Sequence, residues 1–369
     1  MILIDFSSII HRMVYTSCSN AKPKKKDGKF ITSEFIGLTK RFILHELFNI
    51  QQQHRNKFGN LVICLDESSN GYWRKYVYPN YKSNRKSGRE KSEINFSEVF
   101  KEIDILIQQI LLNLPWKVVQ VQTAEADDIM LVLAKEYSKY EKILIHSPDK
   151  DMIQAQRGTD NVYQYSSLTK KWIKAETKSA SMEEWTNEHV CLGDASDGVP
   201  KIVDHCEFSD AFLNYLKDVL PEEFEVPKTP MAFKIAELPR KHAIIQNFNV
   251  FKCNRKGEST GVLDVYKDTR FGKTNLKKEI KKYGSLDLWL DSHPLYRPHY
   301  ERNFTLVMEE GIPSDIWNKS IVNYKAAETN YNEHEFAQYL IENDLKSIQM
   351  GIGGIFGNTQ PLTAENSGW

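Results

Sequence analysis

The chain is poor in the features that mark several protein classes. No stretch of its 369 residues reaches the roughly 18 consecutive apolar residues that a membrane span requires. The opening residues, MILIDFSSII, lack the basic flank and small-residue cleavage site of a secretory signal, so a cytoplasmic protein with no membrane contact is expected. Cysteine is scarce: five residues, Cys18, Cys64, Cys191, Cys206 and Cys253, an odd number with no C-x-x-C pair. That excludes a disulfide framework and a zinc ribbon, and leaves reduced core thiols. Phosphate loops are missing too. Gly272-Lys273-Thr274 has Lys267 where the first glycine should stand, and GIGGIFG at 351–357 has Phe356 in place of the third glycine of G-x-G-x-x-G. Asp5-Phe6-Ser7 lacks the second aspartate of an aspartyl-phosphate hydrolase. There is no internal repeat.

Net charge is also lacking, since 49 Lys+Arg balance 49 Asp+Glu. With 41% hydrophobic residues the chain has ample material for a core, and its length suits two domains. The sequence carries no signal of oligomeric state, and a monomer is the default expectation. The balanced total hides segregation. KPKKK at 22–26 is a basic knot, residues 74–91 carry seven Lys/Arg against one Glu, and residues 270–282 carry six against one. Separate basic tracts beside acidic ones suit a polyanion-binding surface next to an acidic site. Solvated loops and helix faces are the plainer explanation of any single run.

Short apolar runs at 2–6, 61–66, 116–121, 143–146 and 162–165 predict strands, and amphipathic spacing predicts helices over 33–54, 92–112 and 124–137. This alternation predicts an α/β domain over residues 1–190 with a mostly parallel central sheet flanked by helices. Beyond it, helical patterns at 207–219, 273–283, 285–291, 313–325 and 333–343 predict a smaller helical domain over 191–345. An insertion at about 201–266 and a flexible tail over 346–369 complete the expected organisation.

The carboxylates fall in telling places. Asp5 and Asp66 end predicted strands, Asp149 and Asp151 follow the strand at 143–146, and Glu125, Asp127 and Asp128 open a helix after another strand. Open α/β sheets bind ligands outside the carboxyl ends of their strands, so these acids are expected in one crevice. Asp194 and Asp197 add two more from the start of the helical region. Such a group raises its own pKa values unless cations compensate. Oxygen donors without a His or Cys cluster favour Mg²⁺, with Mn²⁺ as a substitute. Two such ions would activate water and stabilise the leaving oxygen of a phosphodiester. Helix-dipole stabilisation accounts equally for Glu125 and Asp127 taken alone.

Five ordered segments, LIDFS (3–7), CLDESSNGYWRKYVYPNYKSNR (64–85), AEADD (124–128), ILIHSPDKD (143–151) and LGDASDGVP (192–200), resemble the flap-endonuclease and 5′-to-3′ exonuclease superfamily. The resemblance is closest to its T-even phage ribonuclease H branch. It implies a PIN/5′-nuclease-like sheet, a helical arch at about 80–110, and a C-terminal helical domain with a modified helix-three-turn-helix. By position, Asp5, Asp66, Glu125, Asp127 and Asp128 would make a first metal cluster, and Asp149, Asp151, Asp194 and Asp197 a second, some binding through water and Asp128 alternatively standing behind the direct ligands. Lys82 and Arg85 of the YKxNR segment would reach the scissile phosphate, and Tyr81 would stack on a terminal base. Arg74, Arg89 and Lys91 would line the path of the nucleic acid, while Lys273, Thr274, Lys277, Lys278 and Lys281 would grip duplex phosphates. The family's glycine-rich turn does not follow LGDASDGVP, which leaves its potassium site without the expected carbonyls.

The activity implied is a magnesium-dependent 5′-3′ exonuclease, flap endonuclease and ribonuclease H. It would remove RNA primers and adjacent DNA during phage DNA replication in the host cytoplasm. Its substrates would be duplexes with a 5′ flap, fork or nick, and RNA–DNA hybrids. A single-stranded-DNA-binding protein is an implied partner. Gln349, Ile352, Ile355 and Phe356 have the spacing of a sliding-clamp box, although Ile355 is aliphatic where an aromatic is expected. The rival functions are a PIN-type single-stranded ribonuclease and an inactive DNA-binding scaffold.

Overall fold

The apolar runs at the predicted strand positions are nearly continuous because both faces of the sheet are covered, as parallel sheets require. The structure is a computed structural model that describes residues 1–83, 85, 92–174, 181–203, 271–293, 296–329 and 332–342. In chain order the elements are β1 (Ile2–Asp5), α1 (Phe6–Ala21), β2 (Lys25–Lys26), β3 (Lys29–Phe30), α2 (Ile36–Phe58), β4 (Leu61–Leu65) and α3 (Arg74–Val77). Then come α4 (Phe96–Asn113), β5 (Lys117–Gln120), α5 (Ala126–Tyr137), β6 (Ile143–His146), β7 (Val162–Ser166) and β8 (Lys171–Ile173). The remainder is helical: α6 (Met182–Leu192), α7 (Lys273–Tyr283), α8 (Leu286–Ser292), α9 (Arg297–Val307), α10 (Ser314–Ala326) and α11 (Glu333–Glu342).

The six-stranded sheet runs β5-β4-β1-β6-β7-β8, parallel throughout except for the antiparallel β7–β8 edge pair. Alternation along each strand divides its side chains between two cores. Ile2, Ile4, Leu61, Ile63 and Leu144 join a cluster with α1, α2 and α4, while Leu3, Val62, Cys64, Ile143 and Ile145 join one with α5 and α10. Both faces of the central strands β1, β4 and β6 are thereby covered. No helix among the described residues is long and apolar enough to cross a membrane. Cys18, Cys64 and Cys191 are buried free thiols.

The chain forms two compact units, one of residues 1–76, 84–179 and 312–369, the other of residues 77–83 and 180–311. The expected boundary at 190/191 and the expected single helical domain over 191–345 differ from this division. Ile312, Ile316, Trp317, Ile321 and Tyr324 pack with α5 and β5, and Phe336, Tyr339 and Leu340 complete the core around Phe48 and Trp116. The second unit has its own core of Cys191, Ile202, Val203, Phe271, Leu276, Trp289 and Leu290. Phe271 stacks on Trp289 there, with ring centroids 5.8 Å apart. The helix expected at 207–219, most of the 201–266 insertion, Arg89 and Lys91 of the arch, and the tail with Gln349, Ile352, Ile355 and Phe356 lie outside the described residues.

Candidate active site at the sheet edge

In the first unit the strand ends bring several acids to one edge. Asp5 is both the last residue of β1 and the N-cap of α1, its Oδ1 accepting from the Ser8 amide at 2.9 Å. Its Oδ2 accepts from Ser147 Oγ at 3.1 Å, and that same hydroxyl accepts from the Asp149 amide at 3.2 Å. Asp149 in turn caps the 3₁₀ segment Lys150–Gln156 by accepting from the Asp151 amide at 2.8 Å. Asp66, one residue past β4, accepts from Ser7 Oγ at 2.6 Å and from the Ala126 amide at 2.8 Å, at the positive end of α5. Asp5, Asp66, Asp149 and Asp151 thus form a chain of contacts through amides and hydroxyls. Ser7 and Ser147, which orient Asp66 and Asp5, were missed by sequence reasoning. The only available signal was a serine just after each of two strands.

Asp127 lies in the first turn of α5. The Cys64 thiol, opposite Asp5 in the β1–β4 register, is pushed above its ordinary value by burial first and then by the carboxylates of Asp5 and Asp127. Both charges therefore bear on the same strand end.

Glu125 and Asp128 are placed differently. They form a capping box at the start of α5, the Glu125 side chain accepting from the Asp128 amide and Asp128 Oδ2 accepting from the Glu125 amide at 2.9 Å. Arg74 grips Asp128 through two nitrogens, at 2.6 and 3.0 Å, and reaches Glu125 at 3.0 Å; Trp73 Nε1 donates to Asp128 at 2.9 Å. Asp128 has no exposed surface, and these donors use the acceptor capacity of a carboxylate. Of the two places expected for Asp128, in the first metal cluster or behind it, these contacts favour the second: it is the buried partner of Arg74. The expected nucleic-acid contact of Arg74 is corrected, because the guanidinium is buried and committed to this pair.

The second unit holds the remaining candidates of the LGDASDGVP segment. A tight turn follows Gly193, whose φ is +63° and where a Cβ would lie 2.4 Å from the carbonyl oxygens of Val199 and Pro200. Asp194 Oδ1 accepts from the Ser196 amide at 2.7 Å and from Ser196 Oγ at 2.6 Å, and Asp194 and Val199 pair through their backbones. Asp197 accepts from Tyr81 Oη at 2.9 Å and pairs with Lys82 Nζ at 3.4 Å, while its carbonyl accepts from the Lys82 amide at 2.7 Å. Lys82 is held in the left-handed region at φ +55°. Tyr81 is buried, so the base-stacking role expected of it has no exposed ring face to use. Arg85 belongs to the first unit and is exposed. Asn303, buried on α9, donates to the carbonyls of Val190 at 3.0 Å and Pro200 at 2.7 Å, fastening both ends of the turn.

The expected phosphate-gripping face of α7 is partly occupied by acids. Lys273 pairs with Glu188 at 2.5 Å, and Lys277 pairs with Glu184 and Glu188 of α6. Contact with Glu184 raises the Lys277 pKa. Thr274 in the first turn of α7, Lys278 and Lys281 are exposed.

Among the described residues, no three His, Cys, Asp or Glu side chains come close enough to hold one metal ion directly. The donor set nonetheless fits magnesium, which keeps several of its waters and is commonly held by one or two carboxylates. Asp5, Asp66, Asp127, Asp149 and Asp151 are such donors on one edge.

A mostly parallel sheet with its central strands covered on both faces, carboxylates at its carboxyl edge and helices beyond, defines a PIN-like α/β fold with a helical unit. Residues 1–187, half of the chain, match the family model of the 5′-3′ exonuclease N-terminal resolvase-like domain, and the chain belongs to that family. Ribonuclease H of Enterobacteria phage T4 is 31% identical over 208 residues, covering 56% of this chain and 64% of that protein. The 5′-3′ exonuclease of Buchnera aphidicola subsp. Schizaphis graminum is 33% identical over 210 residues, covering 55% of this chain and 66% of its own. The chain thus spans just under two thirds of the length of these relatives. The structure of T5 5′-exonuclease with divalent metal ions (zinc) bound superimposes with a TM-score of 0.54 at 11% identity, covering 89% of this chain and 98% of that one. That likeness is one of fold.

Proposed function

We propose that the chain is a structure-specific, divalent-metal-dependent 5′-3′ exonuclease and flap endonuclease with ribonuclease H activity, acting on RNA primers and adjacent DNA in phage replication. The observation that carries this reading is the convergence of Asp5, Asp66, Asp127, Asp149 and Asp151 on one edge of the sheet, the carboxylates of Asp5, Asp66 and Asp149 accepting from neutral donors, with the Asp151 amide donating to Asp149. Amide and hydroxyl donors orient a carboxylate without adding a countercharge of their own. Magnesium, when bound, would supply an activated water and neutralise charge on the phosphodiester. Lys82, held by Asp197, is the cation assigned to the scissile phosphate, and Arg85 its partner in that role.

The test is cleavage of a 5′-labelled series of blunt, nicked, flapped, RNA-primed and single-stranded substrates with Mg²⁺ or EDTA. Magnesium-dependent short products from duplexed 5′ ends are expected. Asp149→Asn should lower cleavage by more than the 10- to 100-fold typical of an outer-sphere partner, with duplex binding retained. Lys82→Ala should reduce turnover more than affinity. Cutting confined to single-stranded RNA would favour a PIN-type ribonuclease, and binding without cutting under any divalent ion would leave a scaffold.

A further inference from the structure

The basic knot near the N-terminus has no part in the site described above. Residues 22–26 run into a two-stranded hairpin, β2–β3, closed by Asp27 at φ +51° and Gly28 at φ +77°. Positive φ at both central residues makes a type I′ turn, for which Asp-Gly is a preferred pair. Five lysines, Lys22, Lys24, Lys25, Lys26 and Lys29, share this short segment with a single acid, Asp27.

Two of the five anchor the hairpin. Lys25 pairs with Glu93 and lies 5.0 Å from the centre of the Phe30 ring, and Lys29 donates to the Ser92 carbonyl. The Phe30 amide donates to the Glu93 carbonyl at 2.7 Å, the Ile31 amide to the Lys24 carbonyl at 2.9 Å, and the Lys24 amide to Glu34 at 2.7 Å. The Glu34 carboxylate is thereby engaged with backbone. The hairpin is therefore fixed to the start of the 92–113 segment, next in sequence to the basic run that ends at Lys91.

The other three lysines, Lys22, Lys24 and Lys26, are exposed and have no ion pair among the described residues. Lys24, just before β2, and Lys26 are two residues apart, about 6.6 Å of extended chain. In the ladder Lys26 stands directly opposite Lys29, whose ammonium is turned to the Ser92 carbonyl.

We propose that this hairpin is a phosphate-binding surface for a nucleic-acid strand, with Lys22, Lys24 and Lys26 contacting successive backbone phosphates. The inference rests on the nuclease reading for the kind of polyanion it meets. It needs no sequence recognition, because the contacts are to phosphates alone.

The test is the salt dependence of binding to 5′-flapped and blunt duplexes in EDTA, which separates binding from cleavage. The variants are the triple substitutions K22A/K24A/K26A and K22R/K24R/K26R in the full chain. The alanine variant is expected to bind more weakly at low salt, with the slope of log K against log salt reduced by roughly 2 to 3, near 0.9 for each phosphate no longer neutralised. The arginine variant should keep the wild-type slope, which distinguishes lost charge from lost folding. Equal slopes for wild type and the alanine variant on both substrates would overturn the hairpin's role and leave the nuclease reading intact. A wild-type chain that binds neither substrate would overturn both.

Discussion

The acids of the sheet edge accept from hydroxyls and amides where the acids of α6 meet lysines. Asp5, Asp66 and Asp149 accept from serine hydroxyls and backbone amides. Glu184 and Glu188 face Lys273 and Lys277, as Asp128 faces Arg74. Neutral donors fix the direction of a carboxylate without adding a countercharge, whereas a cation fixes direction and supplies one. The first arrangement is suited to attracting a metal, and the second to building a stable surface or core. Counting carboxylates in a sequence cannot separate the two, but their partners do.

The comparison can be broken most forcefully at Asp128. Asp128→Asn removes the charge that satisfies a buried guanidinium, and breaking such a pair costs about 3–5 kcal/mol. Urea denaturation should show that loss, while the fraction that remains folded still cleaves. A variant of undiminished stability but no activity would return Asp128 to the metal site. A smaller effect is expected at α6. Replacing Glu184 and Glu188 together by Gln frees two lysines, so nucleic-acid binding should tighten at low salt and its log–log salt slope should steepen by roughly 1 per lysine engaged. Fluorescence anisotropy at 50 and 200 mM salt would measure it, and an unchanged slope would mean that α7 does not meet phosphates.

The smallest effect concerns His146, at the end of β6. Burial lowers its pKa to about 4; Glu46 acts against this, and Arg12 and His54 act with it. Because the folded pKa lies below the unfolded one, the unfolded chain binds the extra proton between about pH 6.5 and 4. This group's contribution is thus complete above about pH 6.5 and is lost as pH falls, at up to about 1.4 kcal/mol per pH unit. Chemical denaturation of wild type and His146→Gln across that window should show a shallower acid loss in the variant. Parallel curves would mean that the imidazole does not titrate with unfolding.

Much of the sheet was legible because β1, β4 and β6 are buried on both faces and read as unbroken apolar runs. The edge strand β8 (KWI) is short and antiparallel, with too few residues to show a period. Helix α1 was missed for a different reason. It begins at the residue after β1, without a loop, and its Ser, Thr and Val content gives weak intrinsic helix preference. Its buried set, Phe6, Ile9, Ile10, Met13, Val14 and Ser17, nevertheless has helical spacing. Within the site, the positions of Asp5, Asp66 and Asp149 at strand ends follow from the sequence alone. The diversion of Asp128 to Arg74 does not, because the two are 54 residues apart and only the fold brings them together. The β2–β3 hairpin carried its signal openly, as Asp-Gly between lysines, but the charge run drew attention away from the turn. Helices α10 and α11 were recognised as helices, yet periodicity says nothing about which core a helix will join.

That return of the chain sets a schedule for its synthesis. Phe336, which packs against Phe48 beside Trp116, emerges about 220 residues after that tryptophan. At translation rates of about 5–20 residues per second, the first unit waits on the order of 10 to 45 s for its last core residues. During that interval the apolar faces that α10 and α11 will cover stay open, and the newborn chain presents them to its surroundings until those two helices arrive.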